Sequence, residues 1–287
     1  MNFLNWSNQH QKKSILGQQI SYIDTGESDK DTLLIIHGYG SSSYDYHKII
    51  NDLKENYRVI IPDLVGFGLS SKPTNFYFSM VNQAEILINL LVDLKVDNLS
   101  IITQGFGSSV MCEFLNVIET NSLTIDIKNI FLLNVSLYLE VNLNPEKQEE
   151  FSKLASSIFL KMSSSYGLFK KYLLQHFFDP TLISESELKA SWELLKNNDG
   201  LKTFNFASYW SLEIQNSTLR WLKVLKNLKT STYFILGDTN EYSEYSNIED
   251  TKKLLQIKET HIIRDCGYFV SLEKPKEFVE IIKKIIE

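Results

Sequence analysis

The stretch LLIIHGYG, Leu33 to Gly40, passes from four consecutive apolar residues straight into a His-Gly turn. A half-buried strand would alternate apolar and polar positions. This run does not, so both of its faces are expected to be covered. The pattern recurs along the chain. Val59 to Ile61 stops at Pro62-Asp63, and Leu99 to Thr103 stops at Gln104-Gly105. Ile130 to Leu133 is a fourth run, and Thr232 to Leu236 stops at Gly237-Asp238. Ile20 to Asp24 also reads as a strand, and Glu259 to Ile263 as the last one. Between them, Tyr46 to Leu53, Met80 to Leu94 and Ser108 to Ile118 carry apolar residues at helical spacing, and Phe278 to Ile286 reads as a closing helix. Short apolar strands separated by amphipathic helices predict an α/β fold with a mostly parallel central sheet covered by helices on both faces. Ligands of such sheets bind beyond the carboxyl ends of the strands. The turns that end these strands are therefore where function is to be sought.

The middle of the chain changes character. From about Leu139 to about Leu225 there is no strand-like run, and Asn144-Pro145, Asp179-Pro180 and Asn197-Asn198-Asp199-Gly200 punctuate a helical pattern. The expected organisation is a core domain of residues 1–138 and 226–287 interrupted by a helical cap of residues 139–225. Aromatic residues are dense in the insert, among them Phe169, Tyr172, Phe177, Trp192 and Trp221. They suit the core of a helical subdomain and equally an apolar roof over a pocket.

Composition narrows the class. The chain has 287 residues, 43% of them hydrophobic, with a net charge of -6. That balance lacks the basic excess of a nucleic-acid binder, so no nucleic-acid partner is expected. The two cysteines, Cys112 and Cys266, form no CxxC pair, which suits a reducing compartment better than a disulfide scaffold. The first residues, MNFLNWSNQHQKK, hold no apolar core of signal-peptide length. No segment reaches the roughly 18 uninterrupted apolar residues of a membrane span. A cytoplasmic location is expected.

Three motifs carry a family resemblance. HGYGSSSYDYHKI (His37 to Ile49), PDLVGFGLSSKP (Pro62 to Pro73) and LEKP (Leu272 to Pro275) together resemble the turns of the α/β-hydrolase fold. GFGLSSKP and SSYDYHKI are most similar to the haloalkane dehalogenase and epoxide hydrolase branch. Within it, ELKASWELLKNNDG (Glu187 to Gly200) resembles the mesoderm-specific transcript group. The resemblance spans nearly the whole chain, cap included.

Hydrolysis in that family needs a nucleophile on a sharp strand-to-helix turn, a histidine and an acid that orients it. In the dehalogenase branch the nucleophile is an Asp that forms an ester, later broken by water. Placed on this chain, the resemblance puts the nucleophile at Gly105, in Thr103-Gln104-Gly105-Phe106-Gly107. The acid falls on Asn240 or, at the alternative position after Ile130 to Leu133, on Asn134; the histidine falls on Tyr268. None of these side chains can play the expected part. Glycine still permits the strained backbone of such a turn, and Gly107 leaves room for the helix after it. The Asn and Trp that hold halide in family dehalogenases are replaced by Tyr39 and Phe106.

Other groups offer little substitute chemistry. Ser108 and Ser109 have no evident base beside them. Cys112 falls inside a helix, where a buried thiol is an inert apolar group. Cys266 lies near Tyr268 without an evident electropositive setting. Asp63 and Asp238 suit turn formation, and His37 suits support of its own turn. His10, His47, His176 and His261 show no metal-ligand spacing, so neither metal nor cofactor is expected. The expected pocket comprises His37, Gly38, Tyr39, Gln104, Gly105, Phe106 and Tyr268. Three functions are open: a non-hydrolytic binder of a small apolar ligand or a protein partner, a non-standard enzyme of lyase, cyclase or cofactor-free oxygenase type, and a scaffold or regulator.

Overall fold

The computed structural model describes residues 1–26, 29–134, 153, 157, 161–207, 210–239, 252–253 and 255–286, and of these the side chains at 204–207, 210–212 and 215 are left aside. Eight strands form one sheet: β1 (Gln11–Ile15), β2 (Gln18–Asp24), β3 (Thr32–Ile36), β4 (Arg58–Pro62), β5 (Asn98–Gln104), β6 (Asp126–Leu133), β7 (Ser231–Gly237) and β8 (Glu259–Ile263). Their order is β1-β2-β4-β3-β5-β6-β7-β8. β1 and β2 pair antiparallel, as do β2 and β4, and every other pairing is parallel.

The continuous apolar runs become the central strands because each of their faces meets a separate core. Leu34 and Ile36 pack with Ile101, Leu132 and Phe234 on one side of the sheet. Leu33 and Ile35 pack with Ile102, Phe131, Leu133 and Ile235 on the other. The first side is covered by helices α3 (Met80–Asp93) and α4 (Phe106–Asn121). The short α1 (Phe3–Ser7) and α2 (Ile50–Leu53) contribute to the second. Between β6 and β7 run α5 (Tyr166–Leu174), α6 (Glu185–Lys196), α7 (Gly200–Ala207) and α8 (Trp210–Lys226). After β8, α9 (Val270–Glu273) precedes α10 (Pro275–Ile286), which buries Phe278, Val279 and Ile282.

One strand carries no sequence signal, and two local expectations need correction. β1 is not signalled by apolar patterning, because QKKSI is an edge strand of which only Ile15 is buried. It pairs with β2 through a two-residue turn, Leu16-Gly17, with both φ values positive (48° and 77°). The helix expected over Tyr46 to Leu53 is instead a 3-10 turn, Ser43–Tyr46, followed by the single turn α2. Ser43, Tyr44, Asp45 and Tyr46 are all buried, so the 3-10 turn has no solvent face, and the exposed Asn51 lies only in α2. The last helix starts at Pro275, with Leu272 in the preceding α9, as suits a proline at the first helical position. The boundary expected at 138/139 lies outside the described residues, as do Asn144-Pro145 and Asn240. Among the described residues no helix is long and apolar enough to cross a membrane.

Candidate functional site

The carboxyl ends of β3, β5 and β6 open onto one cavity of about 100 Å³. Gly38, Tyr39, Gln104, Gly105, Phe106, Asn134 and Tyr268 line it, with Phe169, Tyr172, Leu173 and Leu195 contributed by α5 and α6. His37 is not among the lining residues. It is fully buried, with Nδ1 2.8 Å from the Gly38 carbonyl oxygen and Nε2 accepting the Leu64 amide at 3.0 Å. Those partners fix the tautomer with the proton on Nδ1, and burial lowers the pKa of the ring. His37 supports the turn from behind.

Gly105 sits between β5 and α4 with φ 52° and ψ -120°, a conformation reserved for glycine or for a strained residue. The Gly105 carbonyl accepts the Ser108 amide at 3.0 Å, which starts α4. At Gly107 a Cβ would fall 2.5 Å from the Ile36 carbonyl oxygen and 2.7 Å from that of His37, so α4 passes against β3 at backbone contact.

Tyr268 lies directly over Gly105. A Cβ built on Gly105 would come within 3.0 Å of the Tyr268 hydroxyl, and one built on Gly38 would lie 3.6 Å from it. The phenol thus occupies the space into which a side chain at 105 would project. Its backbone is fixed from three directions. The Tyr268 carbonyl accepts Gln104 Nε2 at 2.7 Å and Asn134 Nδ2 at 2.8 Å, and the Tyr268 amide donates to the His176 carbonyl at 2.8 Å. The ring meets Phe269 and His176 edge-on.

Asn134 holds the same corner. It adopts φ 45°, which asparagine tolerates. Its Nδ2 donates to the Gly267 and Tyr268 carbonyls at 3.1 and 2.8 Å, while Oδ1 accepts the Gly237 amide at 2.8 Å. Two carbonyls on one side and an N–H on the other settle the amide orientation. Asn134 ties β6, β7 and the Tyr268 loop together.

Several other residues take structural places. Asp238 accepts the Cys266 amide at 3.3 Å, and Asp63 accepts the Ser43 and Leu69 amides at 2.8 and 2.7 Å. Ser108 is buried against the Thr103 hydroxyl. Cys112 and Cys266 are fully buried; burial pushes the Cys266 thiol up to about 12 and raises Cys112 as well, so neither is primed as a thiolate. Among the described residues no group of three His, Cys, Asp or Glu could hold a metal ion.

Among the cavity residues outside the expected pocket are one carboxylic acid and one histidine. Asp45, in the 3-10 turn after β3, lines the cavity and accepts the Ser41 hydroxyl. Burial, which outweighs that bond and adds to repulsion from Asp63, raises its pKa to about 7. His176, just beyond α5, also lines the cavity and is driven down to about 4 by burial and Lys161. Asp45 sits inside the quoted SSYDYHKI motif, but a carboxylate in a turn gives no sign of which way it faces.

The α6 helix is fastened to the turn after β3 by a buried polar contact. His47 Nε2 lies 2.8 Å from Glu187 Oε1, and Lys48 Nζ is 3.6 Å from the same oxygen. Ser184 and Glu187 form a reciprocal capping box at the start of α6. Burial alone would raise the Glu187 pKa, but the Ser184 hydroxyl and amide, Lys48 and His47 outweigh it and hold it at about 2. A folded value below the unfolded 4.5 stabilises the protein above that pH, and the gain is lost as pH falls toward 2. Between pH 5 and 2.5, wild type should lose roughly 2 kcal/mol more stability than Glu187→Gln. Urea unfolding followed by tryptophan fluorescence checks this; parallel pH profiles for the two proteins would refute it.

The fold and this site define the class. The chain belongs to the alpha/beta hydrolase fold family, whose pattern matches residues 31–275. Among its relatives, mesoderm-specific transcript protein of Mus musculus is 28% identical over 257 residues, covering 87% of this chain and 76% of the relative. The Homo sapiens homolog protein is 29% identical over 259 residues with the same coverage. Among solved structures, the Cif epoxide hydrolase from Acinetobacter nosocomialis superposes with a TM-score of 0.79 at 14% identity, covering 97% of this chain and 88% of that one.

Proposed function

We propose that this protein is a non-hydrolytic member of the family that binds a small apolar ligand in the cavity above Gly105. Gly105, Asn240 and Tyr268 stand where the resemblance puts nucleophile, acid and base, with Asn134 at the alternative acid position. The observation that carries the reading is the Tyr268 hydroxyl in the space a nucleophilic side chain would need. A glycine at 105 and a tyrosine at 268 are sterically matched, whereas an Asp or Ser at 105 would collide with the phenol. The core of residues 1–138 and 226–287 supplies the floor of the pocket. The helical cap of residues 139–225 supplies its apolar roof, including Phe169 and Tyr172. An open cavity favours a ligand over a filled scaffold, and a protein partner is the other binding role this reading allows. A cytoplasmic setting agrees with two free, buried cysteines.

The test is saturable one-to-one binding of cyclohexanol, a compact apolar probe, measured by calorimetry. Wild type should bind it. Ser191→Phe, which places a ring in the cavity wall, should not. Equal heats for both proteins would count against the pocket. A second reading, Tyr268 as the acid or base of a non-hydrolytic reaction, is favoured by the phenol facing the cavity. It requires that Tyr268→Phe abolish turnover of whatever substrate is found.

A further inference from the structure

The cavity carries one carboxyl group. Among the described residues that line it, Asp45 is the single acid, and none is lysine or arginine. Asp45 is 8% exposed and rigidly placed. Its amide donates to the Ser42 carbonyl at 3.2 Å, and its carbonyl accepts the Ser271 hydroxyl at 2.8 Å. Its carboxylate accepts the Ser41 hydroxyl, and among the described residues it meets no cationic side chain. The charge that acts on it is Asp63, of the same sign. A buried carboxylate without a positive partner is unfavourable, and the imbalance is relieved either by a proton or by a cation. The rest of the wall suits a cation as well. Tyr39, Phe106, Phe169, Tyr172 and Tyr268 all line the cavity, and aromatic faces attract ammonium groups. His176 is held neutral at physiological pH by its burial and so does not compete for the carboxylate.

We infer that Asp45 is the head-group anchor of the pocket and that the ligand is a small organic amine, bound as its ammonium with an apolar body. This rests on the reading of the cavity as a ligand site and specifies the chemistry of what enters it. The ammonium would donate to Asp45 at the Ser41 side of the pocket, and the hydrocarbon would lie against the aromatic wall. No bond is made or broken; the step is binding alone.

The experiment compares cyclohexylamine with cyclohexanol, its neutral counterpart, by calorimetry at pH 7.5 on wild type and on Asp45→Asn. Wild type should bind the amine about tenfold more tightly than the alcohol, as a charge-assisted hydrogen bond in a dry site allows. In Asp45→Asn the preference should disappear, the amine binding no more tightly than the alcohol. If Asp45→Asn does not fold, the wild-type comparison decides by itself. Equal binding of amine and alcohol by wild type would overturn this inference and leave the pocket reading standing. An amine preference that persists in Asp45→Asn would overturn the assignment to Asp45. Binding of neither compound would overturn both the inference and the pocket.

Discussion

Gly105→Ser is expected to be about 3 kcal/mol less stable than wild type and no more active toward esters. Two costs add. At φ 52° and ψ -120° any residue with a Cβ is strained, by about 1–3 kcal/mol. The new Cβ also enters the space of the Tyr268 hydroxyl, and displacing a packed phenol costs about 1–3 kcal/mol more. Family hydrolases hold a nucleophile in such a turn, so the strain alone is tolerable to the fold; the collision is particular to this chain. A double-mutant cycle separates the two. Tyr268→Phe removes the hydroxyl and leaves the ring carbon at 3.7 Å, an ordinary contact. In that background Gly105→Ser should cost about 1–2 kcal/mol less than in wild type. Chemical denaturation of the four proteins measures it. The same cost in both backgrounds would mean that Tyr268 and Gly105 are not coupled.

Asn134→Asp should cost about 3 kcal/mol at neutral pH, although it restores an acid at a position where family relatives can hold one. The Nδ2 group of Asn134 donates to two carbonyl oxygens. A carboxylate would turn a negative oxygen toward both, taking the amide donor from the Gly267 carbonyl and leaving the Tyr268 carbonyl with Gln104 alone, in a site that is 3% exposed. An uncompensated buried charge with broken hydrogen bonds typically costs about 3–5 kcal/mol, and the retained bond to the Gly237 amide places this case at the lower end. The aspartate should escape by protonating. Its folded pKa would lie above the unfolded value, so the penalty should shrink as pH is lowered toward 5. Thermal unfolding at pH 5 and pH 8 checks the sign. A penalty that grows on acidification would show that the carboxylate finds a cationic partner and that the clamp is misread.

Both results depend on how far residues carry their meaning in the linear chain. The strands of the parallel sheet were legible because a strand buried on both faces must be apolar throughout, as Leu33 to Ile36 and Val59 to Ile61 are. The Gly105 turn was legible for a similar reason: the flanking Gly107 marks a backbone approach that no side chain permits. The edge strand β1 was hidden because an edge owes its place to backbone pairing, and QKKSI carries no burial signal. Tyr268 could be placed by family resemblance, but the match between its hydroxyl and Gly105 is a distance between residues 163 positions apart in the chain. Asn134 read as an absent acid, whereas its amide is the donor that holds Tyr268 in position. Asp45 and Glu187 were unreadable as buried charges, since carboxylates in sequence are by default solvated. Their roles come from what surrounds them: an apolar cavity in one case, and His47, Lys48 and Ser184 in the other.

The central claim is that the site keeps its architecture while hydrolytic chemistry is absent. Its most direct test is the rate at which purified wild-type protein hydrolyses short acyl esters, epoxides and haloalkanes. The account predicts rates equal to the buffer blank for all three classes, in preparations that bind cyclohexanol. Turnover that persists through repeated purification and falls when Tyr268 is changed to Phe would contradict it.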